Sequence, residues 1–163
     1  MSRDDVPAPA ASAGPGVPPG LPLVDEHRVR IAAGADRVWA ALGGWLGERA
    51  GPGAAAYARL VRAEPAAASG TPLAEGATLP GFRVARAVPG ERAVLTGRHF
   101  FSRYAAAAVL AGDGEGGTVL AVRTYARFPG PLGAVYRALV IGSGGHAVAV
   151  RRMLDSVRRR AEG

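Results

Sequence analysis

Between Phe82 and Phe128 the chain alternates apolar and polar residues in four successive runs, and this stretch limits the possible folds more than any other. The runs are Phe82–Val88, Arg92–Phe101, Arg103–Ala111 and Thr118–Phe128. A period of two sends alternate side chains to opposite faces of a strand, so each run offers one face for burial and one for solvent. Pro89-Gly90 marks a turn, and residues 112–117 (GDGEGG) form a glycine-rich hairpin loop. Parallel strands need crossovers longer than these links, so the expected arrangement is an antiparallel meander.

A one-faced sheet must be covered by another element. Phe128-Pro-Gly-Pro131 ends the alternation. Leu132–Val140 then reads as helix, residues 142–145 as a weak point, and His146–Ala161 as helix again. In that last piece Val150, Met153, Leu154 and Val157 share one face, and the arginines lie mainly on the other. Upstream, His27–Ile31 alternates as a strand, and Arg37–Leu46 carries Val38, Ala41, Leu42 and Trp45 at helical spacing. Ala54–Arg62 fits a second short helix, and residues 63–81 read as loop with at most one irregular strand. Residues 1–22 are rich in Pro, Ala and Gly and too poor in apolar surface to offset ordering entropy, so they are expected to be a disordered tail.

The expected fold is therefore α+β, a curved antiparallel sheet gripping a long C-terminal helix, formed by residues 23–163. The alanines at 105–108, with Gly97, Gly142, Gly144 and Gly145, supply little side-chain volume. They favour a gap between sheet and helix.

At this point the chain resembles the SRPBCC superfamily, the START-like or polyketide-cyclase-like helix-grip proteins. The resemblance rests on His27–Leu46 (HRVRIAAGADRVWAALGGWL), an opening strand followed by a helix with a Trp just inside it, and on Phe82–Phe128 followed by a long helix. Gly133–His146 (GAVYRALVIGSGGH) is also similar to the C-terminal helix of some members. The resemblance covers residues 24–161 and implies a deep apolar pocket between sheet and helix. It does not fix an activity, because the superfamily holds lipid carriers, cyclases and ring-hydroxylase subunits.

The candidate site residues follow from strand faces. His99 shares a face with Leu95, Gly97 and Phe101, opposite Arg92, Thr96 and Arg98, and the arginine-free face is the inner one. A pocket imidazole can serve as general acid or base, or it can be a core group bonded to a carbonyl or phenol. Tyr104 and Tyr136 offer hydroxyls to a ligand, whereas Tyr125 shares a face with Arg123 and Arg127 and is expected outside. Trp39 and Trp45 read as core. His146 follows the glycine-rich weak point, at the pocket's open end, with no partner in view, and His27 reads as structural. The expected ligand-binding set is thus His99, Phe101, Tyr104 and Tyr136, with His146 at the mouth.

Several function classes lose support. The chain has no cysteine, which removes disulfides, thiolate metal sites and a thiol nucleophile. Its three histidines lack metal-ligand spacing, and there is no G-x-S-x-G elbow. Gly142-x-Gly144-x-x-Ala147 fits a dinucleotide fingerprint, but too little chain follows to close a βαβ unit. No metal or cofactor is expected. Asp4 and Asp5 argue against a secretory signal, and Arg137 and His146 interrupt the most apolar stretch, so no membrane span and a cytoplasmic location are expected.

The net charge is +7, carried by arginine alone, since Lys is absent. The arginines at 137, 151, 152 and 158–160 could bind anions or nucleic acid, but no aromatic–basic interleaving accompanies them. The expected function is binding of a small hydrophobic or amphipathic molecule, lipid- or polyketide-like. The alternatives are a cyclase- or dehydratase-like enzyme using His99 as acid or base, and an anion or nucleic-acid binder using the C-terminal arginines.

Overall fold

The structure is a computed structural model, and it describes residues 14–163. Strand β1 (Leu23–Ile31) leads into helices α1 (Ala35–Glu48) and α2 (Pro52–Leu60). A meander follows: β2 (Thr78–Leu79), β3 (Phe82–Val88), β4 (Arg92–His99), β5 (Ser102–Gly112) and β6 (Thr118–Arg127). Helix α3 (Gly130–Arg137), a π-helical turn (Ala138–Gly142) and α4 (Gly145–Glu162) complete the chain. The six strands form one antiparallel sheet in the order β1-β6-β5-β4-β3-β2. The fold is α+β, a sheet covered by the C-terminal helix, as the period-two runs and the final amphipathic stretch require.

Pairing assigns the faces. Leu95, Ala106 and Thr124 stand opposite one another on β4, β5 and β6, facing inward; Thr96, Ala105 and Tyr125 form the next row, facing outward. The inner face joins Val84, Leu95, Ala108, Leu110, Leu120 and Val122 in one core with α1 and α4. Helix α1 buries Val38, Ala41, Leu42 and Leu46, and α4 buries Val150, Leu154, Val157 and Ala161. Each such Val or Leu contributes about 1.5–3 kcal/mol by leaving water.

Polar contacts fix the ends of this packing. Glu162 accepts a hydrogen bond from the Ala32 backbone N–H at 2.9 Å, and Arg160 pairs with Glu48, so the last turn of α4 is tied to both ends of α1. The β5–β6 loop is organised by Asp113. Its Oδ1 accepts from the N–H groups of Glu115 and Gly117, both at 2.8 Å, and Arg30 reaches its Oδ2 at 2.7 Å.

The outer face carries a second, smaller cluster of Val94, Ala105, Ala107 and Tyr125. Tyr125 is outside, as its arginine neighbours indicated. Of the expected tail, residues 1–13 lie outside the described residues. Residues 14–22 run across the outer face, with Val17 and Leu21 packed on that cluster. The Gly20 carbonyl accepts two hydrogen bonds from Arg127, at 3.0 and 2.7 Å, and the Pro22 carbonyl accepts one from Ala126. The alanines at 105 and 107 leave the shallow surface into which these two apolar side chains fit.

Candidate functional site

A cavity of about 370 Å³ lies between the inner face of the sheet and helices α1 and α4. Ala106 and Ala108 floor it, and Leu42, Trp45, Val150 and Met153 roof it. The void exists because the middle of β5 offers methyl groups where its neighbours offer Leu95 and Val122. Val140 and Ile141 of the π-helical turn also line it. The wall is mostly hydrocarbon, with polar groups gathered at specific points.

One such point is an aromatic cluster around His99. The imidazole lies 4.8 Å from the Tyr136 ring, 5.4 Å from Tyr104 and 5.9 Å from Phe101, centroid to centroid. Phe101 stacks on Tyr136 at 5.0 Å with the planes nearly parallel. Phe101 does not itself line the cavity; it backs the ring that does. Two glycines permit this cluster. A Cβ on Gly97 would meet the Gly81 carbonyl oxygen at 2.0 Å and the Tyr104 ring at 2.7 Å. A Cβ on Gly133 would meet the Phe128 carbonyl carbon at 2.8 Å, and its absence lets α3 close on the end of the sheet with Tyr136 turned inward.

The hydrogen bonds define what each group can do. The Phe101 N–H donates to His99 Nδ1 at 3.1 Å, which places the proton of the neutral ring on Nε2, 3.1 Å from Ser102 Oγ. Burial lowers the His99 pKa, so the neutral form holds at pH 7. Both ring nitrogens are engaged within the protein. The Tyr104 hydroxyl donates to the Gly81 carbonyl at 2.6 Å, and burial raises its pKa. The Tyr136 phenol is pushed up to about 12, by burial first and then by the nearby Tyr57. These phenols are hydrogen-bonding groups, not bases, at neutral pH.

His146 stands at another point of the wall. Its Nε2 lies 3.1 Å from Thr124 Oγ1 and 3.4 Å from Asp25 Oδ1, while Asp25 Oδ2 lies 3.2 Å from His27 Nε2. Sequence spacing offers neither histidine a partner; the structure brings both to Asp25. A register shift between Leu23 and Asp25 sets Asp25 opposite Thr124 on the inner face, and Gly144, in the left-handed region, starts α4 beside it. Among the described residues no group of three or more His, Asp or Glu side chains is placed to hold a metal ion.

Four of the five expected residues therefore line one cavity, and Phe101 supports it from behind. Ser102, Thr124 and Trp45 line it as well, and residue patterns did not single out the first two. Trp45 reads as core by its helical spacing, yet its indole Nε1 is buried with no hydrogen-bond partner. An orphaned donor of this kind costs about 1–3 kcal/mol unless something accepts from it. Of the C-terminal arginines, Arg158 pairs with Asp155 at 3.5 Å and Arg160 with Glu48, and Arg151 and Arg152 are exposed.

No family model matches this chain, and no curated protein matches it. Solved structures do. A conserved protein from Geobacillus kaustophilus superimposes with a TM-score of 0.55 at 12% identity, over 83% of this chain and 93% of that one. The Mll3558 protein from Rhizobium loti gives 0.52 at 16%, over 83% and 94%. The di-domain ARO/CYC BexL from the BE-7585A biosynthetic pathway gives 0.56 at 16%, over 85% of this chain and 50% of that one, so this chain spans half of its length. At these identities the likeness is one of fold. Among the described residues no helix is long and apolar enough to cross a membrane.

Proposed function

We propose that this chain is a helix-grip protein of the SRPBCC type that binds a small, largely apolar molecule in the cavity between its sheet and α4. The observation that carries this reading is the cavity itself, about 370 Å³ within the core and walled by Ala106, Ala108, Leu42, Val150 and Met153. A site of that size, mostly apolar with a few fixed polar groups, suits a small hydrophobic or amphipathic ligand. The opening strand-helix motif and the shared fold support the family. The ARO/CYC designation of BexL makes a polyketide-like ligand the reading to test first.

The polar groups define the ligand further. The Tyr136 phenol and the Thr124 hydroxyl, both in the wall, can donate to a carbonyl or ether oxygen on the ligand. The Ser102 hydroxyl accepts from His99, which leaves its own proton for a second acceptor. A ring or chain bearing two separated oxygens matches this wall better than a pure hydrocarbon.

Binding is better supported than acid–base catalysis by His99. An imidazole with both nitrogens held, and with its pKa lowered by burial, has no vacant position from which to take or give a substrate proton.

The test is binding of a fluorescent apolar probe and its displacement by polyketide-like aromatic ketones, with native mass spectrometry of the purified chain. Saturable binding of one probe per chain is expected. Ala106→Phe, which fills the floor of the cavity, should weaken it about tenfold or more, the scale of a few lost apolar contacts. Absence of probe binding, or binding indifferent to Ala106→Phe, would overturn the reading.

A further inference from the structure

The opposite face of the sheet carries a feature that the cavity does not explain. Arg98, Arg103 and Arg127 stand directly opposite one another on β4, β5 and β6. Like charges at paired positions repel, so such a row is unfavourable unless something offsets it. Arg83 lies on the same face, on β3, opposite Thr96 in the neighbouring row. The four arginines line a groove of about 910 Å³, bounded on one side by residues 18–21 and on the other by Glu64 and Pro65.

Two of the four are already used. Arg98 binds Glu64 through Nε at 3.0 Å and Nη2 at 2.5 Å, which neutralises the one carboxylate of the wall. Arg127 is held by the Gly20 carbonyl. Arg83 and Arg103 have no carboxylate or carbonyl partner among the described residues. They sit two strands apart and two residues out of register, so their Cα atoms are roughly 12 Å apart. Side chains reaching inward from that separation meet a ligand with two anionic groups, not a single point charge. The guanidinium fork suits the paired oxygens of phosphoryl and carboxylate groups, and Thr96, on the strand between β3 and β5, also lines the groove.

We propose that this groove is a binding site for a small multivalent oxyanion, held by Arg83 and Arg103 beside the uncompensated charge of Arg127. It is separate from the apolar cavity, on the other side of the sheet. Tyr104 is the one aromatic residue in its lining, so the groove offers no platform for stacking successive bases, which favours a compact anion over a nucleic-acid strand.

The experiment is isothermal titration of the full chain with pyrophosphate, with citrate, and with acetate as a monovalent control, at low and at physiological ionic strength. Pyrophosphate or citrate should bind saturably at one per chain, more weakly as salt rises, and acetate should not. The tighter of the two assigns the ligand's chemistry to phosphoryl or carboxylate. Arg83→Ser and Arg103→Ser should each weaken binding about tenfold, the scale of one lost charge-assisted pair, and Arg103→Lys should weaken it less than Arg103→Ser. These side chains are exposed, so unchanged thermal transitions will confirm folding. The double variant Arg151→Ser/Arg152→Ser, on exposed α4 positions, should bind as the parent does. Lack of saturable binding to either anion overturns the proposal. So does equal weakening in the α4 double variant, which would reflect net charge alone. Binding of a single-stranded oligonucleotide through Arg83 and Arg103, with neither small anion bound, also overturns it.

Discussion

Single residues decide whether the aromatic cluster can form. Gly97 is in the middle of β4, where glycine ordinarily weakens a strand, and its reason is the close approach of the Gly81 carbonyl and the Tyr104 ring. Gly97→Ala must push one of them away and break the 2.6 Å bond between them. The expected cost is about 1–3 kcal/mol, measurable by chemical denaturation. His99 makes a pH-dependent contribution. Its folded pKa is lowered by burial, among Tyr104 and Tyr136, which stay protonated. The unfolded imidazole takes up a proton at about pH 6.5, so below that pH the unfolded state binds more protons than the folded one. Stability from the buried neutral ring is complete above about pH 6.5 and is lost as the pH falls toward the lower folded value. His99→Gln should flatten the decline of Tm between neutral and mildly acidic pH. An unchanged slope would mean that the ring is not held neutral. The role of His99 was legible only in part: alternation put it on the inner face, but no spacing rule shows that Phe101 N–H and Ser102 occupy its nitrogens.

Elements were easier to read than residues, for a physical reason. Strands β3 to β6 each have one face against the core, and a one-residue slip would expose it, so alternation persists along them, except at Ala93–Leu95 and Ala105–Ala108, where residues 14–22 also cover the outer face. Phe82–Val88 matches β3 to the residue, and the other three runs differ from β4, β5 and β6 by a residue or two at their ends. The early strand is longer than the pattern shows. Residues 23–26 continue β1, but a register shift after Leu23 breaks their alternation, and Asp25 on an inner face looks like solvent-facing sequence until His27 and His146 are placed beside it. Residues 14–22 carry no periodicity, yet Val17 and Leu21 find the small-residue surface of β5. The last helix is the element on which the fold most depends. Leu154 is 3% exposed and central to the face that packs on β1 and α1. Leu154→Ala should cost about 2–5 kcal/mol. Chemical denaturation should also show whether the loss is cooperative, with α4 and sheet signals falling together, as expected of a single core.

At the scale of the molecule, the cavity and the core are made from the same residues, so stability and binding should oppose one another. A close-packed interior leaves few voids larger than a water molecule, yet this one keeps about 370 Å³ beneath α4. The apolar groups around it lack contact partners on one side, which forfeits dispersion energy. Sequence could indicate the void, because a run of alanines at 105–108 leaves only methyl groups on whichever face of β5 lies below a helix, here Ala106 and Ala108. It could indicate only part of the wall: His99, Tyr104, Tyr136 and His146 are expected there, whereas Trp45 and Thr124 lie far apart in the chain and no pattern joins them to the site. Ala106 points into the void between Leu95 and Thr124. In Ala106→Phe the ring enters existing space. Cavity filling of this kind commonly adds about 0.5–2 kcal/mol, and Tm in the absence of ligand should rise. A bound ligand stabilises the parent by mass action, about 2.7 kcal/mol at a hundredfold excess over Kd, and should stabilise a variant with tenfold weaker binding by only about 1.4 kcal/mol, less if the loss is larger. Scanning calorimetry with and without the apolar probe reads both effects in one experiment. A variant that gains stability and loses its response to the probe identifies the void as the binding site. A variant that is destabilised, with the probe response intact, shows that the space at Ala106 is structural and that the ligand sits elsewhere.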